Sequence, residues 1–158
     1  MKKISLFVVL IVSLSSCSAF ARSPAGPITY DGLLEVADTV VIATAISNTI
    51  TGVTNILTYD CDVVETVFLV RAKLKGGSNN QMIVRHLEFQ HRPTGMNPPM
   101  LVHFQPSDPA LSEAMAEPCY LLFLKKNAGV WEPASGQIDA VFSVRTVATD
   151  WLRLVQRK

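Results

Sequence analysis

Thr39–Ile46 (TVVIATAI) and Cys119–Lys126 (CYLLFLKK) are the segments that most restrict the fold. Both are dense in apolar side chains, the first strongly β-branched, and each is only a strand's length. Such segments need a sheet whose faces are both covered, and the rest of the chain supplies more strands of similar character. Phe68, Val70, Ala72 and Leu74 alternate with Arg71, Lys73 and Lys75, the period of two expected of a half-buried strand with a basic outer face. That strand belongs to a longer region from Ile56 to Leu74. By the same parity Cys61 falls opposite Phe68, and a bulge between Asp62 and Thr66 would realign them.

Turn chemistry separates the remaining elements. Tyr30–Ala37 suits a short amphipathic helix with Leu33, Leu34 and Ala37 on one side. Asn48–Asn55 is rich in Thr, Asn and Gly and reads as a turn. Lys75–Asn80 is a second turn, Met82–Phe89 a strand, and Asn127–Gly129 a turn into Val130–Pro133. Ser135-Gly136 turns again, and Phe142–Val147 is a last strand. His91–Pro118 holds Pro93, Pro98, Pro99, Pro106, Pro109 and Pro118, so it is an irregular excursion with a short strand at Leu101–Phe104. Asp108 as N-cap and Pro109 at the first helical position signal a helix there. Asp150–Gln156 fits a C-terminal helical turn. The expected fold is mainly β: a small closed or partly open OB-like barrel of 5–6 strands with one or two short helices.

The N-terminus gives an address. Lys2 and Lys3 precede an apolar run ending at Leu14, too short for the roughly 20 residues of a membrane-spanning helix. This is a signal peptide, and no later run is long and apolar enough for a transmembrane helix. Two processing signals overlap behind it. Leu14-Ser15-Ser16-Cys17 is a lipobox that would lipidate Cys17 and remove residues 1–16. Ala19-Phe20-Ala21 is a small-x-small site that would remove residues 1–21. A cysteine in the cleavage region and a Pro/Gly/Ser tether over residues 22–29 favour the anchor. Ser18 rather than Asp after it points to the outer membrane, facing the periplasm. Cleavage after Ala21 would instead give a soluble periplasmic or secreted protein. Residues 30–158 then form a single domain.

Without Lys2 and Lys3, the exported chain has 12 Lys and Arg against 13 Asp and Glu. A near-neutral surface argues against a nucleic-acid partner, which calls for a strongly basic face. Export leaves Cys61 and Cys119 as an even pair in an oxidising compartment, and a Cys61–Cys119 disulfide is expected.

Few residues suggest chemistry. His86, His91 and His103 are close in sequence, and Met96 and Met100 lie between the last two, so a zinc or copper site is the alternative reading. Strand parity weighs against it, since His86 and Glu88 share a face and His91 does not. The Arg71, Lys73 and Lys75 row is a candidate anion-binding face, or the lysine-blunted edge of a sheet. No nucleophile elbow or phosphate-cradling glycine loop is present. No catalytic residue and no cofactor is expected.

The phrases ADTVVIATA, VFLVRAKLKGG, CYLLFLKKNAGVWEPASGQ and FSVR resemble exported bacterial proteins with an OB-like barrel, similar to tissue inhibitors of metalloproteinases and netrin modules. The resemblance spans most of residues 30–147 and implies a fold rather than an activity. In the animal inhibitors a mature N-terminal cysteine, disulfide-bonded to a nearby one, presents its amine and carbonyl to the protease zinc. Here Ser18, Ala19 and Phe20 follow Cys17, and no second cysteine precedes Cys61, so protease inhibition does not carry over. The expected function is a non-catalytic binding module of the envelope, taking a protein or polymer ligand. Intact mass of the membrane fraction tests the address: a diacylglyceryl adduct on Cys17 is expected, and Cys17→Ala should abolish it and release the chain from the membrane.

Overall fold

A computed structural model describes residues 28–77, 79–94, 97–107 and 118–147. The signal peptide, Cys17, Met96, the helix expected after Asp108 and the turn expected from Asp150 lie outside these residues. The fold is mainly β, with one helix, α1 (Tyr30–Val36), a 3-10 turn at Ala140–Ser143, and six strands. The strands are β1 (Thr39–Ile56), β2 (Tyr59–Lys75), β3 (Gln81–Phe89), β4 (Cys119–Asn127), β5 (Val130–Pro133) and β6 (Val144–Val147).

The sheet order is β1-β2-β3-β5-β4-β6, and β1 also pairs with β4. Strands β1, β2, β3, β5 and β4 therefore close into a barrel-like ring, with β6 added to the other edge of β4. The pairs are antiparallel except β3–β5, a single parallel bridge between Val84 and Trp131. That one bridge is the ring's weakest seam.

Both faces of the early part of β1 are covered, which accounts for its nearly continuous apolar run. Val41, Ala43 and Ala45 point into the ring with Phe68, Met82, Val84, Leu122 and Leu124. Val40 points outward with Phe123 against Leu33 and Ala37 of α1. Thr29 caps α1, its hydroxyl accepting from the Gly32 N–H at 3.1 Å. Leu34, expected on the buried side, is exposed. The helix has no basic residue in its last turn. Lys75 takes that place from β2, donating to the carbonyls of Leu34 and Ala37. Gly76 lets the chain leave β2 here: its φ is +71°, and a Cβ would lie 2.2 Å from the Asp38 carbonyl oxygen.

The β1–β2 ladder is the largest departure from expectation. Asn48–Asn55 is no turn: β1 runs straight through it, and the hairpin reverses at Leu57-Thr58, with Leu57 at φ 60°. Four register shifts bend the pair. On β2 the extra residues are Leu74 and Arg71; on β1 they are Ile46 and Thr51. The shift at Leu74 puts that residue in solvent instead of the core. The bulge expected between Asp62 and Thr66 lies instead on the facing stretch of β1, while β2–β3 pairing runs unbroken from Cys61 to Leu69. Cys61 and Phe68 therefore remain on opposite faces of β2.

This geometry rules out the expected disulfide. Cys119 pairs with Thr44 and Cys61 with Thr54 of the same strand. Ten residues of strand correspond to about 30 Å along β1, whereas a disulfide needs Cα atoms within about 7 Å. Both cysteines are free and buried. Burial first, then Asp60 and Asp62, pushes the Cys61 thiol above its ordinary pKa, so it is the unreactive form.

Leu101–Phe104 forms no strand, yet Val102 and Phe104 fill the ring interior. Phe104 stands edge-on to Phe68 and His86, both with centroids at 4.8 Å, and to Tyr120 at 5.2 Å. Local contacts pin it: Asn48 Nδ2 donates to its carbonyl at 2.8 Å, the Gln105 N–H donates to the Tyr120 hydroxyl at 3.2 Å, and the Ser107 N–H to Ala45 O at 2.8 Å. Phe104→Ala should lower stability by about 3–5 kcal/mol in urea unfolding, the cost of a large core cavity, although the residue sits in a segment without regular structure.

Candidate functional site

The structure divides the candidate metal ligands. His86, on β3, is fully buried inside the ring. His91 lies beyond the end of β3, in a cleft of about 340 Å³ with Tyr59, Asp60 and Arg92. Three residues of strand, about 10 Å, and then a bend at Gln90 and His91 separate the two. His103 is exposed and its Nδ1 pairs with Glu88 Oε2 at 2.8 Å. Met100 is exposed. Among the described residues, no group of three or more His, Cys, Asp or Glu side chains is arranged to hold a metal ion.

His86 belongs to a buried polar relay. The Thr66 hydroxyl donates to Asn48 Oδ1 at 2.7 Å and lies 2.8 Å from His86 Nε2. A hydroxyl has one proton to give, so Nε2 must carry the ring proton and donate to Thr66. Nδ1 is then a bare acceptor. It faces Glu88 Oε1 at 3.8 Å, and both atoms are buried without a hydrogen-bond partner among the described residues. Desolvation by burial dominates and holds the His86 pKa down at about 4, with His103 adding a smaller push in the same direction.

The proposed anion-binding row is broken up by the bulges of β2. Lys75 is occupied by the end of α1. Arg71 Nε donates to Thr44 Oγ1 at 3.2 Å. Lys73 projects into solvent. The three side chains do not form one face. A separate open groove of about 740 Å³ crosses β2 and β3, where Glu65, Val67, Gln81 and Ile83 meet Trp131 and Lys126. Lys126 covers the Trp131 ring, its Nζ 5.5 Å from the centroid.

The surface feature that sequence reasoning missed is the far half of β1. Its pairing with β4 ends at Thr44, and the Ser107 N–H bonds once more at Ala45. Beyond that point, among the described residues, one edge of β1 has no strand partner. Residues 49–55 are exposed at every position. Apolar side chains are prominent there: Ile46 is 41% exposed, Ile50 63%, Val53 72% and Leu57 61%. Ile50 pairs with Val64 and Val53 with Asp62, two residues apart on β2, so both point to the same face of the hairpin. A signal for this was legible: from Thr39 to Tyr59 the chain has no charged residue. Such a span cannot carry the charged side chains that usually blunt an edge.

Comparison of the chain with family models, curated proteins and solved structures found no match. The site has to be read from its own geometry.

The His86 environment has a consequence for acid stability. A folded pKa of about 4, below the usual 6.5, means the unfolded chain binds a proton that the folded chain refuses. This contribution is complete above pH 6.5 and is lost as pH falls towards 4, to a total of about 3 kcal/mol. Urea unfolding across that window should show the loss, and His86→Gln, which keeps a donor for Thr66 but does not titrate, should have the shallower pH slope.

Proposed function

We propose that this chain is an exported, envelope-associated, non-catalytic binding module that docks a protein partner along the open edge of β1. The edge itself carries the proposal. It combines main-chain N–H and C=O groups that no strand among the described residues pairs, exposed β-branched side chains and freedom from charge. That chemistry fits strand addition, in which main-chain hydrogen bonds provide affinity and alternate side chains provide selectivity. It favours a protein over an envelope polymer, which has no matching ladder of donors and acceptors. Near-neutral charge goes with this reading and against nucleic acid.

The address is supported by the basic start, the short apolar core and the two processing signals. With Cys17 lipidated, the module is held on the outer membrane facing the periplasm. With cleavage after Ala21, it is soluble in the periplasm or secreted. The resemblance to netrin-like modules fits a scaffold that presents a surface, with protease inhibition set aside.

Photo-crosslinking in intact cells tests the docking. A photoreactive phenylalanine replacing Val53 or Ile50 should give a discrete protein adduct, and the same group replacing exposed Lys125 should not. Absence of any adduct from the β1 positions would sink the reading.

A further inference from the structure

We infer that the partner on the β1 edge is a second copy of this chain, added antiparallel across a two-fold axis near Thr51 and Gly52. This rests on the strand-docking reading above and names its occupant.

An antiparallel strand laid against its own copy is self-complementary, as a two-fold interface requires, because the same patch serves both sides. A strand is a poor self-partner where like charges would meet across the ladder. Here no charged residue occurs between Thr39 and Tyr59, so every register along the free edge avoids that penalty. The free length is also sufficient. Ser47–Ile56 would form on the order of ten main-chain hydrogen bonds with its copy, about the number a standard protein–protein interface holds. The resulting sheet runs continuously from β2 through two copies of β1 to the second β2. Ile50 and Val53 share one face of the hairpin, so each copy contributes two apolar side chains beside the axis.

The bulge at Thr51 gives this pairing a definite place. A bulge increases local twist and re-aims the side chains around it. The one in the middle of the free edge follows Ile50 and precedes Gly52 and Val53. It brings Ile50 and Val53 to the same face, where unbroken alternation would have split them. A Cβ on Gly52 would meet only the Val63 side chain, at 4.0 Å, so among the described residues the face of the sheet beside the proposed axis is open.

Light scattering after size exclusion, on the exported chain (in detergent if it carries a lipid), provides the test, with hydrogen exchange on the same samples. The expected result is a concentration-dependent dimer in which the amides of 47–56 that face away from β2 are protected, since β2 already holds the others. The double variant Ile50→Lys, Val53→Lys should be monomeric and lose that protection. Both positions are exposed, so at concentrations low enough for the parent to be monomeric the variant should unfold at the same temperature, which separates a lost interface from a lost fold. A dimer that survives both lysines would place the contact on another surface and overturn the inference. A monomer whose outward-facing 47–56 amides are protected would mean that another segment of this chain covers the edge. A monomer with those amides unprotected refutes self-pairing as well. If the Val53 crosslink then yields a different protein, strand docking stands with another partner; with no crosslink, both proposals fall together.

Discussion

The ring depends on Phe104 being where it is. Strands β3 and β5 meet at a single bridge, so backbone pairing alone closes the ring poorly at that seam. A packed interior has to hold it. Phe104 enters from a segment without regular pairing and sets its ring edge-on to Phe68 of β2, His86 of β3 and Tyr120 of β4. One side chain thus touches three of the five ring strands, and its carbonyl is bound by Asn48 of β1. Edge-to-face geometry adds roughly 0.5–1.5 kcal/mol per pair to the burial itself. The prolines nearby help: Pro98, Pro99 and Pro106 have no N–H to leave unsatisfied, so the segment can pass over the ring without a ladder of its own.

The polar relay beneath Phe104 ties the same elements together chemically. Asn48 binds the Phe104 carbonyl with its amide nitrogen and the Thr66 hydroxyl with its oxygen, and Thr66 in turn accepts from His86. The side chain of β1, the hydroxyl of β2 and the imidazole of β3 become one directed chain of donors. It also fixes the imidazole tautomer, which turns Nδ1 into an acceptor facing a carboxylate oxygen. Two buried acceptors 3.8 Å apart are unfavourable as they stand, and a water donating to both would relieve them. His86 therefore acts as a structural neutral group. The histidine cluster suggested by spacing gives way to a core residue and a surface residue on either side of Glu88, with His91 apart in a loop.

Much of the fold was legible because local chemistry and burial agreed. The continuous apolar run of β4 and the Asn127–Gly129 turn predict what is found, because β4 is covered on both faces for most of its length and Ala128 and Gly129 take positive φ. Legibility failed where one strand has two jobs. In β1, residues 39–45 are core, whereas 49–55 are solvent-exposed on both faces, so no single burial pattern marks it as one element. Thr, Asn and Gly then suggested a turn, although Thr favours strands and Gly52 lies next to a bulge. The cysteine pairing failed for a related reason. Even count and export speak to redox state and say nothing of distance, and the distance is set by the length of β1, the element that was misread.

An exposed strand edge is a hazard that folded proteins ordinarily suppress with lysine, proline or shortness. This chain suppresses it elsewhere. Lys73 and Arg71 lie on β2 near the covered end of the hairpin, and prolines fill the segment over the ring, but neither device appears between Thr39 and Tyr59. The free stretch of β1 is also longer than the five or six residues usual for a whole strand. The two bulges on β1 bend the hairpin without interrupting it, so pairing with β2 continues to the tip at Ile56 and Tyr59. Keeping that ladder intact, with no strand among the described residues on its outer edge, holds the edge in an extended, pre-formed state. A strand that docks there orders itself against a template already in place, and the ordering cost falls on one partner instead of two. When the incoming strand is another copy of β1, it too arrives pre-formed, so self-pairing costs less ordering than the docking of an unstructured segment.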